Sequence, residues 1–144
     1  MLWLDSVFAV PTVAVRLETN YGAVSDIQKR IMPFIDKLHK SGRIQRIEQK
    51  EIWGYSLIAG GFTFHLRNDN IAVSYAYSVD EISRPGTLPS FEMPELRTYS
   101  EIMKETCEYV REILLSLDAV DDLRYDRIGV VADANLEGDS LPPE

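Results

Sequence analysis

Phe62-Thr63-Phe64-His65-Leu66-Arg67-Asn68-Asp69-Asn70-Ile71-Ala72-Val73-Ser74-Tyr75-Ala76-Tyr77-Ser78-Val79 is the stretch on which the fold turns. Phe62, Phe64 and Leu66 alternate with Thr63, His65 and Arg67. Asn68-Asp69-Asn70 then reverses the chain into a second alternating run that carries Ile71, Val73, Tyr75, Tyr77 and Val79. Successive side chains of a strand point to opposite faces, so two period-two runs joined by a short polar loop predict an antiparallel hairpin with one aromatic, branched face. The other face of its second strand, Ala72, Ser74, Ala76 and Ser78, is small and uncharged. An exposed strand face ordinarily carries longer polar groups, so something is expected to pack closely there.

Upstream of the hairpin, Val13, Val15 and Leu17 alternate as a first strand, with Pro11 suited to an edge or a strand start. Val24, Ile27, Ile31, Phe34 or Ile35, and Leu38 recur at helical spacing, and Ser25-Asp26-Ile27-Gln28 has the pattern of a capping box. A helix is predicted from about Ser25 to Lys40, stopped by Ser41-Gly42 and kinked or broken at Pro33, which lacks a backbone donor. Residues 43–53 lie between two breakers, Gly42 and Gly54, and predict a bulged strand. Gly60-Gly61 lacks the spaced glycines and lysine of a phosphate loop and marks a bulge or a close backbone approach instead.

Downstream, residues 80–97 contain Pro85, Pro89, Pro94 and Gly86 without a sustained period. They predict a Pro-rich loop or arm whose Leu88, Phe91 and Met93 dock on apolar surface. Thr98-Tyr99-Ser100-Glu101 opens a second helix with another capping box, and the helix continues through Ile102, Met103, Val110, Ile113, Leu114 and Leu117. Residues 123–132, with Ile128, Val130 and Val131, read as a closing strand. Residues 133–144 read as an acidic, flexible tail. The order β-α-β-β-β-α-β predicts one α+β domain over residues 1–132, a mixed and mainly antiparallel sheet with two helices packed on one face.

A chain of 144 residues with 45% apolar content is enough for one continuous core. A single cysteine, Cys107, excludes an intrachain disulfide, and its place near the apolar stripe of the second helix predicts a small core residue. The N-terminus has Asp5 where a secretion signal needs an apolar run, and no segment approaches the ~20 apolar residues of a membrane span. A cytoplasmic protein without membrane attachment is expected. The net charge of −8 conceals an asymmetry: residues 21–50 hold seven basic and three acidic side chains, and residues 51–144 hold seven and eighteen. The basic stretch reads as a solvated helix face, and general nucleic-acid binding is disfavoured, since it rests on many phosphate contacts.

Catalytic and metal chemistry has thin support. Two histidines, His39 and His65, fall on different elements, and no Cys/His spacing suits a metal. His65, Arg67 and Asp69 form the one polar cluster worth weighing, although strand alternation alone produces such a row. No cofactor, metal or catalytic residue is assigned, and the balance is against an enzyme. The leading expectation is a non-catalytic protein-binding or regulatory module of the chaperone, inhibitor, immunity or antitoxin-like kind. Its partner would be another protein or a second copy of the chain, met through Ala72, Ser74, Ala76, Ser78, Leu88, Phe91 and Met93. A small-ligand sensor comes second. A small enzyme using His65, Arg67 and Asp69 comes third.

Overall fold

The computed structural model describes residues 3–18, 24–42, 44–51, 54–67, 69–77, 80–82, 84–92, 96–118 and 123–135. After a 3₁₀ turn, Trp3–Ser6, come β1 (Phe8–Glu18), α1 (Val24–Lys40), β2 (Ile44–Glu51), β3 (Gly54–Ala59), β4 (Phe62–Leu66) and β5 (Asn70–Tyr75). They are followed by β6 (Asp80–Ile82), β7 (Ser90–Glu92), α2 (Tyr99–Leu117) and β8 (Arg124–Asn135). Six strands form one sheet in the order β2-β3-β4-β5-β1-β8, and every neighbouring pair is antiparallel. The molecule is an α+β fold with both helices over one face.

The hairpin is its centre. Phe62, Phe64 and Leu66 of β4 face the helices beside Ile71, Val73 and Tyr75 of β5, all of them buried. α1 contributes Ile27, Ile31, Phe34, Ile35 and Leu38 to the same core, and α2 contributes Ile102, Val110, Ile113 and Leu117. Phe34 joins both helices to the sheet: its ring meets Phe64 of β4 edge-on at 5.5 Å and Tyr109 of α2 at 6.3 Å.

Of the kink or break expected at Pro33, the break does not occur, and α1 runs through it as one helix with Pro33 on its exposed side. An interior proline costs about 3 kcal/mol. Each large apolar side chain buried on the stripe around it contributes roughly 1.5–3 kcal/mol, so five of them outweigh the proline. β2 is the expected bulged strand, with register shifts between Ile44 and Arg46 and between Gln49 and Glu51. β3 is an additional strand: Gly60 and Gly61 both have positive φ, 57° and 84°, the signature of a type I′ turn that folds β3 back onto β4.

Three further departures have local causes. Within the Pro-rich segment β6 and β7 pair as a two-stranded ribbon; strands of three residues are too short to display a period. β1 begins at Phe8, with Pro11 inside it. β5 pairs with β1 only from Thr12 onward, so at Pro11 the strand needs a ladder on one side alone. The longer β1 gives Asp133, Ala134 and Asn135 the partners Val10, Ala9 and Phe8, so strand structure continues three residues into the segment expected to fray. Residues 136–144 lie outside the described residues.

α2 begins as its sequence predicts. Thr98 Oγ1 accepts from the Glu101 backbone N–H at 3.3 Å, and Glu101 Oε2 accepts from the Thr98 N–H at 3.0 Å. Asp5 adds a tertiary cap, accepting from the Ser100 N–H at 2.7 Å and from its hydroxyl at 2.8 Å, where negative charge meets the positive end of the helix.

Candidate functional site

The two edges of the sheet differ in chemistry. β2 places Arg46, Glu48, Lys50 and Glu51 within eight residues and is bulged at two places, the usual protection of an edge against unwanted pairing. β8, at the other edge, is twelve residues long and uncharged from Ile128 through Ala132. Its ladder to β1 uses one side only, and among the described residues no strand pairs with the other.

α2 packs over β1 and β5 rather than over β8. The inner face of β8 is therefore uncovered, and between it and α2 lies an open groove of about 440 Å³, walled by Val110, Leu114 and Leu115 of the helix and by Tyr125, Ile128 and Val130 of the strand. Ile128 is 63% exposed, Leu115 58% and Val130 53%. Monomeric proteins rarely leave contiguous apolar surface of this kind open without a use for it. Tyr125 closes one end: its hydroxyl lies 3.4 Å from the Leu114 carbonyl oxygen and 3.3 Å from Asp118 Oδ1.

Cys107 lines this groove and is exposed, contrary to the core position expected for it. The neighbouring Thr106 takes the core position, fully buried with its hydroxyl donating to the Ile102 carbonyl at 2.7 Å, so a hydroxyl can sit where an apolar side chain was expected.

The small face of the hairpin lies on the sheet side away from the helices. Cross-strand register places His65, Ala72, Ala14 and Gly129 in one row and Thr63, Ser74, Thr12 and Val131 in the next. Ala72 is buried, Ser74 half-buried and Ala76 exposed, and Ser78 lies outside the described residues. Leu88 is 90% exposed and is not docked on apolar surface; Met93 and the side chain of Phe91 lie outside the described residues. Arg67 Nε and Asp69 Oδ1 come within 3.7 Å on the exposed surface after the end of β4, with His65, exposed on β4, two residues before Arg67. Among the described residues no group of three His, Cys, Asp or Glu side chains is gathered as a metal would need, and no helix is long and apolar enough to cross a membrane.

At the opposite end of α2, Arg97 Nη2 and Glu105 Oε2 pair at 2.6 Å, and the Tyr77 hydroxyl donates to the Arg97 carbonyl at 2.6 Å. The Arg97 guanidinium lies 6.0 Å from the centre of the Tyr75 ring. A depression of about 230 Å³ beside them is lined by Asp5, Tyr77 and Arg97, whose polar groups already serve one another or the cap of α2. Burial raises the pKa of the Tyr75 phenol, with Tyr77 adding to the effect and Arg97 opposing it; burial and then Asp118 raise that of Tyr125. Both phenols ionise near pH 10 in the unfolded chain and later in the fold, so the folded state holds protons that the unfolded state has released. Their contribution to stability is intact below pH 10 and declines as pH rises through the folded values. Denaturant midpoints followed by circular dichroism are expected to fall above pH 10, and the Tyr75→Phe/Tyr125→Phe double variant to fall less steeply. An equal slope in the double variant would count against this account.

The groove was missed at the sequence level because residues 123–132 read only as a closing strand, and a strand's own pattern does not say whether a helix covers its inner face. A signal did exist in Leu115 and Cys107, which stand off the stripe formed by Ile102, Thr106, Val110, Ile113 and Leu117. Comparison with protein families, curated proteins and solved structures gives no match to this chain.

Proposed function

We propose that this chain is a non-catalytic protein-binding module, regulatory in the sense of an inhibitor, chaperone, immunity or antitoxin-like factor, and that its recognition surface is the α2–β8 groove with the adjoining edge of β8. One observation carries the reading: an apolar groove and an uncharged length of open strand edge, residues 128–132 of β8, lie side by side at one end of the sheet. A strand edge supplies main-chain hydrogen bonds to an incoming partner, and an apolar groove beside it supplies area and specificity. The small face at Ala72 and Ser74 lies on the opposite side of the sheet, where β1 connects it to Gly129 and Val131 on the outer face of β8 rather than to the groove.

Two exposed substitutions separate these contributions. Val130→Lys places a charge in the groove, and Ala76→Lys places one on the outer face of the hairpin. Surface changes of this kind alter stability by no more than about 0.5 kcal/mol. With the purified chain as bait in its native host extract, the wild type and Ala76→Lys are expected to retain a stoichiometric partner and Val130→Lys to lose it, a loss of about 2 kcal/mol or more in affinity. Retention by Val130→Lys with loss by Ala76→Lys would move the site to the hairpin face. No partner at low salt for any form, with a monomeric sedimentation profile, would sink the reading.

A further inference from the structure

We infer that the partner taken up by the β8 edge is a second copy of this chain, joined by antiparallel β8–β8 pairing about a two-fold axis. The inference rests on the protein-binding reading above and adds the identity of the partner. Isologous two-fold contacts require a surface complementary to itself, and β8 has that property. When the axis stands perpendicular to the sheet, inner residues oppose inner residues only if the axis passes through a residue position. With the axis at Val130, Arg127 of each copy stands opposite Asp133 of the other, twice by symmetry, Ile128 opposes Ala132 and Val130 opposes itself. Axes at Gly129 or Val131 leave Arg127 opposite Val131 or Asn135, without a charge partner.

Three observations support this register. Arg127 and Asp133 both lie on the outer face of β8, exposed, and among the described residues neither forms an ion pair. Arg127 stands directly across from Arg16 of β1, and like charges in that position repel; Asp126, at 3.6 Å, compensates Arg16, leaving Arg127 to an acid from outside. Gly129 sits in the interior of a strand with no positive φ, and a Cβ added there meets nothing within 4 Å, so nothing within the described fold requires a glycine. Glycine in a strand interior often marks close approach of another backbone. The chain carries a net −8, but β8 itself is balanced, with Arg124 and Arg127 against Asp126 and Asp133, so the repulsion between copies lies away from the contact.

Sedimentation over a concentration series tests the inference on the full chain. The wild type is expected to form a concentration-dependent dimer. Arg127→Asp and Asp133→Arg each set two like-charged pairs face to face and are expected to weaken association about tenfold. The double reversal Arg127→Asp/Asp133→Arg is expected to restore it to near the wild-type value, and far-ultraviolet circular dichroism is expected to be the same for all four proteins. A double reversal as weak as the single ones overturns the inference, as does a wild type that remains monomeric. A monomer that still captures a stoichiometric partner, lost on Val130→Lys, overturns the second copy and leaves the protein-binding reading standing. A monomer that captures nothing overturns both.

Discussion

Phe64→Ala is expected to lower the free energy of unfolding by about 3–5 kcal/mol, the range for a large aromatic removed from a core that cannot collapse onto the space. Phe64 has no exposed surface, and its ring is held from three elements. Tyr109 of α2 meets it edge-on at 5.0 Å, Phe34 of α1 at 5.5 Å, and Phe62 of the same strand lies at 6.4 Å. Edge-to-face pairs add about 0.5–1.5 kcal/mol each beyond their buried area, so the alanine loses the pairs as well as the transfer term. Domains of this size have about 5–15 kcal/mol in total, so the variant is expected to be partly unfolded under mild conditions. Urea titration followed by tryptophan fluorescence and circular dichroism measures the change. Phe64→Leu, which keeps most of the volume, is expected to cost clearly less. A loss below about 1 kcal/mol for the alanine would show that the aromatic cluster is not the centre of the core.

Gly61→Ala is expected to destabilise the fold by about 2–4 kcal/mol, an unusual cost for one added methyl group. Two causes act together. Gly61 has a φ of +84°, where an L side chain costs roughly 1–2 kcal/mol. Its new Cβ would also lie 2.7 Å from Cε2 of Tyr75, a ring that is itself buried and wedged edge-on between Phe62 at 4.9 Å and Tyr77 at 5.3 Å. The ring cannot step aside without disturbing both neighbours, and overpacking of this sort costs about 1–3 kcal/mol. Gly60 is the internal control: its φ is +57° but a Cβ there meets nothing within 4 Å. Gly60→Ala is expected to cost only about 1 kcal/mol and Gly60→Asn less, since asparagine tolerates the left-handed region. Equal melting temperatures for the two alanine variants would refute the steric part of the argument.

The turn at Gly60-Gly61 also shows how much of the fold was legible in the chain. Two glycines between apolar runs are a hairpin signal. Tyr55, Leu57 and Ala59 alternate before them as Phe62, Phe64 and Leu66 alternate after, yet without the pairing the glycines read only as a bulge or a close approach. The close approach is real, and so is the hairpin. Pro33 illustrates the opposite limit. A local rule allowed a kink or a break, and the buried stripe of Ile27, Ile31, Phe34, Ile35 and Leu38 kept the helix from breaking because packing energy is summed along the whole face. The candidate site was the least legible part. Ala72, Ser74, Ala76 and Ser78 were recognised as an unusual face, but Ile128 and Val130 read only as part of a closing strand, with nothing local to place them beside an open groove.

By itself, then, the sequence determined the elements: the hairpin from Phe62, read as far as Val79 although β5 ends at Tyr75, the capped helix from Thr98, the bulged strand after Gly42 and the α+β class. Each of these depends on period, cap or turn chemistry within a few residues. Only the tertiary structure decided which strands became edges and which face stayed open. β1 enters between β5 and β8, leaving β8 outermost, and α2 lies over β1 and β5, leaving Ile128 and Val130 uncovered. Strand order and helix placement arise from contacts between residues distant in the chain, 54 to 62 positions apart for β1 with β5 and more than a hundred for β1 with β8, and such contacts leave no trace in the local alternation of the strand they expose.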